Sequence, residues 1–127
     1  MKRLLLSLPA LALLGACATT QPYAPVQNVR YQAAGTEPFW LLAIGDDRIV
    51  LRTANEGERS WPRTLPRTEG ETRIWESGEG GAAIIVQTRP GPCTAPNERV
   101  YEDEVRVRTG GQTLHGCGGR LLRSGQG

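Results

Sequence analysis

Residues 93–117, CTAPNERVYEDEVRVRTGGQTLHGC, constrain the fold more than any other stretch of the chain. Val105 and Val107 alternate with Glu104, Arg106 and Arg108, the period of a strand with one buried face. Gly110-Gly111 then supplies a pair that accepts positive φ without a Cβ clash, as a tight hairpin turn requires. Residues 112–117 return as the second strand. Counting outward from the glycines sets Val107 opposite Leu114 and Arg106 opposite His115, which makes one face apolar and the other charged. On the same count Cys117 lies opposite Glu104, off the apolar face. A bond from Cys93 to Cys117 would tie the start of this unit to its end, with Cys93 folded back over the strand's outer side or edge. For a loop of this length the chain-entropy relation gives about 3.5 kcal/mol.

The beginning of the chain decides which thiols are available. Residues 1–17 carry Lys2 and Arg3, an apolar run, then the small Gly15 and Ala16 before Cys17, which is the order of an export leader. The run is too short to span a bilayer comfortably. Leu14-Gly15-Ala16-Cys17 resembles the lipobox of bacterial lipoproteins, which implies a signal peptide over residues 1–16 and lipidation of Cys17. An ordinary signal peptide is the alternative. Ala18, where enteric lipoproteins retained in the inner membrane carry aspartate, resembles the outer-membrane class. The expected location is therefore the bacterial cell envelope, with the membrane engaged through a lipid anchor on the outer membrane and the protein facing the periplasm. With Cys17 acylated, Cys93 and Cys117 remain in an oxidising compartment, where a disulfide is expected. The rival use of the same atoms is a metal site built from Cys93, His115 and Cys117. It lacks a fourth ligand, since His115 is the only histidine, and no metal or other cofactor is expected.

Removing residues 1–16 takes away Lys2 and Arg3 and leaves basic residues that balance the 13 acidic ones. All of them are arginine. Balanced, interspersed charge offers no basic stripe, so no nucleic-acid partner is expected. Residues 17–34 hold Pro22, Pro25, polar side chains and no apolar period, which suits a flexible tether, with regular structure expected only from about Gly35. A single domain is expected over residues 35–122 and a disordered tail over 123–127.

Within that domain Pro38 biases Glu37 towards extended backbone, and Phe39-Trp40-Leu41-Leu42-Ala43-Ile44 is apolar throughout, the composition of a strand covered on both faces. Gly45-Asp46-Asp47 turns the chain, and residues 48–52 return as a strand. Residues 53–71, rich in charge, proline and threonine, have only Trp61 and Leu65 as anchors and read as a long loop holding at most one irregular edge strand. Residues 72–77 form a short strand and 78–81 a turn. Residues 82–88 form a continuous apolar strand that Arg89-Pro90-Gly91-Pro92 stops. No segment keeps a helical period. The expected fold is all-β, a small antiparallel barrel or sandwich of roughly six to eight short strands closed by the disulfide-tied C-terminal hairpin.

Gly35-Thr36-Glu37-Pro38-Phe39-Trp40, Cys93 with Tyr101 after it, the alternating valines and Leu114-His115-Gly116-Cys117-Gly118-Gly119 together resemble a family of uncharacterised bacterial envelope lipoprotein domains. Its members occur alone or beside META-type and c-type lysozyme-inhibitor-like modules. The likeness covers residues 35–119 and is carried by its two ends. Where the family usually has an Asp-Gly-Met-Ser-like segment after the first cysteine, this chain has Thr94-Ala95-Pro96-Asn97-Glu98. The family lends no activity.

An enzyme needs a nucleophile, a base or a metal set, and here the inventory is poor. Lys2 is the only lysine, and Ser60, Ser77 and Ser124 sit in no nucleophile elbow, so the protein is not expected to be an enzyme. Glu102-Asp103-Glu104 sends carboxylates to alternate faces of a strand and reads as a solvated edge, with Asp103 on the Tyr101 and Val105 face at a frayed strand start. The candidate binding residues are Glu37, Phe39 and Trp40, an orienting charge beside two flat apolar surfaces. A structural use of the same residues competes, with Trp40 or Phe39 plugging the barrel end and Glu37 pairing an arginine or capping amides. The expected function is a lipid-anchored, non-catalytic binding module that engages an envelope protein, a glycan or a small envelope ligand. The alternatives are a lysozyme-inhibitor-like protein, disfavoured by the missing serine-and-lysine loop, and a purely structural envelope lipoprotein.

Overall fold

Short alternating stretches joined by tight turns give a meander whose first and last strands meet. The computed structural model describes residues 26–125; the leader, Cys17 and the first part of the tether lie outside the described residues. Nine strands form one antiparallel sheet: β1 (Tyr31–Thr36), β2 (Phe39–Ile44), β3 (Arg48–Thr53), β4 (Gly57–Pro62), β5 (Arg67–Glu69), β6 (Thr72–Ser77), β7 (Ile84–Thr94), β8 (Val100–Thr109) and β9 (Gln112–Arg123). Their order is β4-β3-β2-β1-β9-β8-β7-β6-β5, and the sheet curls into a half-barrel. Its concave side holds the core, with Trp40, Ile44, Ile49, Leu51, Ile84, Val86, Val107 and Leu114 almost completely buried.

The C-terminal hairpin has the register that its sequence dictates. Val107 pairs with Leu114, Arg106 with His115 and Glu104 with Cys117, while Thr109 faces Gln112 across Gly110-Gly111 at φ 57° and 77°. The Cys93–Cys117 disulfide is formed, with α-carbons 5.6 Å apart.

Four stretches depart from expectation, each for a physical reason. First, β1 begins at Tyr31, inside the stretch read as tether. Its Ala33-Ala34-Gly35 carries little apolar signal of its own, but β2 pairs along its whole length and β9 takes its other edge. Second, residues 53–71 hold two strands rather than a loop, which brings the count to nine. β4 pairs with β3 from Arg48↔Pro62 to Thr53↔Gly57, and as an edge strand it tolerates charge, including an Arg52–Glu58 ion pair at 3.0 Å. Third, β7 starts at Ile84 after a 3-10 turn at Gly80–Ala82 and runs through Pro90-Gly91-Pro92 to Thr94. The ladder shifts between Pro90 and Cys93, so a bulge accommodates prolines that cannot donate to it. Fourth, β9 extends to Arg123, opposite Val100, where a tail was expected.

The ladder does not close between β4 and β5, and side chains span that gap instead. Trp61 Nε1 donates to Ala82 O at 2.7 Å, Ser77 Oγ to Pro62 O at 2.6 Å and Thr64 Oγ1 to Glu76 O at 2.9 Å. At the other end of the same meander the segment before β1 is fixed to the β2–β3 turn. Asp46 accepts from Asn28 Nδ2 and Arg30 Nε, both at 2.7 Å, and Arg30 N donates to Ile44 O at 2.7 Å. Those two side-chain bonds, Arg30's first, hold the Asp46 carboxyl below its ordinary pKa.

Candidate functional site

β2 has the composition of a strand covered on both faces, yet only one face is covered. Trp40, Leu42 and Ile44 point into the core, whereas Phe39 is 50% and Leu41 40% exposed on the outer face. Ala34 on β1 lies across from Leu41, and Val50 on β3 lies across from Ala43, so the apolar strip continues on both sides of β2. The segment 93–97 after the β7 bulge, held by the disulfide, rises beside this strip. Together they form an open groove of about 1410 Å³, lined by Ala34, Phe39, Leu41, Ala43, Val50 and the disulfide, with Glu37, Glu104, His115 and Tyr101 among its polar residues. That exceeds the roughly 300–1,000 Å³ of enclosed small-molecule sites and suits an elongated ligand.

The three candidate residues separate. Glu37 and Phe39 line the groove, but Trp40 is fully buried and lies outside it. Trp40 Nε1 donates to His115 O at 3.1 Å. Its indole occupies the space where a Cβ at Gly35 would stand, and a Cβ at Gly116 would meet the Ala34 carbonyl first and then the indole, so both positions need glycine for close approach rather than for turning. The two most distinctive motifs of the sequence, at residues 35–40 and 114–119, thus meet as one packing device in which Trp40 is the plug.

Asp103 shares the buried Val105 face, as the alternation predicts, but its place along the strand and its relation to Tyr101 differ from expectation. β8 begins at Val100, so Asp103 lies within the strand and not at a frayed start. The β8–β9 ladder shifts between Tyr101 and Asp103, which separates their faces: Tyr101 lines the outer groove and Asp103 stays buried on the core side. There it accepts the Tyr31 hydroxyl at 2.9 Å. Burial first, then the bond to Asp103, push the Tyr31 pKa far above the ordinary phenol value. Arg73 lies over the rings of Tyr31 and Trp75, at 5.8 Å and 4.9 Å. No signal in the local sequence marks this cluster, because it depends on irregular pairing, the ladder shifting on both sides of Tyr101.

Chemically the groove offers shape, apolar surface and isolated charge. Both sulfurs are consumed by the disulfide, so Cys93, His115 and Cys117 cannot act together as metal ligands. Among the described residues no group of His, Cys, Asp and Glu side chains is arranged to hold a metal, and no helix is long and apolar enough to cross a membrane. No protein family, curated protein or solved structure matches the chain.

Proposed function

We propose that the protein is a lipid-anchored, non-catalytic binding module of the bacterial envelope, and that its ligand lies in the groove on the outer face of β1, β2 and β3. The observation that carries this reading is the open apolar face of β2, with Phe39 and Leu41 half-exposed beside each other. Covering what remains exposed of two such side chains is worth about 1 kcal/mol each. Lipid anchoring and envelope location rest on Leu14-Gly15-Ala16-Cys17 and its leader. Non-catalytic action rests on the residues that line the groove, none of which pairs a nucleophile with a base.

Site-specific photo-crosslinking in intact envelopes tests the reading. A photo-reactive residue at Leu41 is expected to yield a defined adduct that the same residue at Arg108, on the outer face of β8, does not. No adduct from position 41, or the same adducts from both positions, refutes it.

A further inference from the structure

The groove does not end at the disulfide. A second recess of about 260 Å³ adjoins it through the shared residues Glu104 and His115 and is lined further by Gln87, Arg89 and Arg106. The ladder orders these side chains. Gln87, Arg106 and His115 pair in one row across β7, β8 and β9, and Arg89, Glu104, Cys117, Ala34 and Leu41 pair in the next, from β7 to β2. The outer face therefore runs from a guanidinium-rich end on β7 and β8 to an apolar strip on β1 and β2 with Val50 of β3, bounded beyond Leu41 by the Arg52–Glu58 ion pair. At strand spacing, Leu41 and Arg89 stand roughly 19 Å apart.

The guanidinium-rich end has charge to spare. Neither Arg89 nor Arg106 makes an ion pair or side-chain hydrogen bond among the described residues, and both are exposed. One carboxylate, Glu104, lies opposite Arg89, which leaves two guanidiniums against one negative charge. Guanidinium forks suit carboxylate and phosphate oxygens. The floor of the apolar strip at β2 and β3 offers no free strand edge, because each of these two strands pairs along both edges. An extended peptide cannot add a strand there. What fits such a floor is a flexible apolar chain that asks for no hydrogen bonds.

We infer that the groove binds a monomeric single-chain anionic amphiphile, with its tail along Ala34, Leu41, Ala43 and Val50 and its head group at Arg89, Arg106 and His115. This deepens the binding-module reading and rests on it. The test uses the full chain carrying Cys17→Ser, which keeps its own acyl chains out of the assay, titrated with decanoate below its micelle concentration and with decanol. Methyl signals of Ala34 and Leu41, the part of the strip a ten-carbon tail reaches from the guanidinium end, are expected to shift with both ligands, and Leu41→Asp to abolish the shifts at Ala34. Ala34→Asp, on the neighbouring strand, provides the same test should Leu41→Asp not fold. The pair Arg89→Gln with Arg106→Gln is expected to weaken decanoate about tenfold and leave decanol unchanged. Silence at those methyls, equal weakening of both ligands or no weakening of either overturns the inference. So does a response confined to phosphatidylglycerol vesicles, which would assign the face to a bilayer surface. An adduct from position 41 in envelopes, combined with methyls silent to decanoate, keeps the groove and removes the amphiphile.

Discussion

Tyr31→Phe isolates one hydroxyl in the core. Tyr31 on β1 and Asp103 on β8 are separated by β9, and their 2.9 Å bond spans that strand inside the half-barrel. Phenylalanine keeps the ring beside Trp75, with centroids 5.6 Å apart, and beneath the Arg73 guanidinium, so packing is conserved and only the donor is lost. The raised pKa of Tyr31 keeps that hydroxyl protonated at any working pH. A hydrogen bond to a charged acceptor is worth about 1.5–3 kcal/mol, and the acceptor here stays buried when its donor is gone. A loss of about 2 kcal/mol is therefore expected, which lowers the melting temperature of a domain this size by roughly 8–16 °C. Urea unfolding followed by circular dichroism measures it, and the Asp103→Ala background supplies the control. With no carboxylate to strand, Tyr31→Phe should cost less than about 0.5 kcal/mol there. Equal costs in both backgrounds, or a negligible cost in the native one, would refute the claim that this bond holds β1 to β8.

Cys93→Ala with Cys117→Ala should cost about 2–4 kcal/mol, and reduction should expose the amides of residues 94–99 to exchange before those of the core; labelling of both thiols in the unreduced native protein would contradict this. Because the folded pKa of Asp46 is depressed below its unfolded value, its contribution is complete above the unfolded value and is lost as pH falls through the folded one. Exchange protection of the Arg30 amide should fade over that acid range in the wild type, and an Asp46→Asn variant that fades identically would rule Asp46 out. Cys17→Ser should abolish partitioning of the protein into detergent, and unchanged partitioning would end the lipoprotein reading. A soluble form without residues 1–17 should leave c-type lysozyme active at nanomolar protein, where strong inhibition would promote the inhibitor-like alternative.

The parts of the fold legible in the sequence were those set by local pattern. Two glycines and a period of two fix the hairpin from Glu104 to Cys117, register included, and thiol accounting fixes its disulfide. What escaped was set by neighbours. β1 has small side chains and becomes a strand because β2 and β9 flank it, and β4 is charged because an edge strand tolerates charge. The candidate site was half legible. The apolar run at residues 39–44 marked β2 as a strand, but composition cannot say that one of its faces stays open, nor which of Phe39 and Trp40 points outward. That choice follows from parity along β2, once Trp40 is seen to need the space over Gly35 and Gly116.

The meeting of β1 with β9 also sets an order in time. The Tyr31–Asp103 bond joins residues 72 apart and the Trp40–His115 bond residues 75 apart, so the core's defining contacts are among the least local in the chain. A nascent chain that has not yet delivered β9 offers Trp40 no acceptor, β1 no second neighbour and Cys93 no partner thiol. Synthesis from the N-terminus therefore yields hairpins without a closed core until β9 has been released. Such a polypeptide stays threadable until β9 emerges, and it commits to its fold only where β9 arrives.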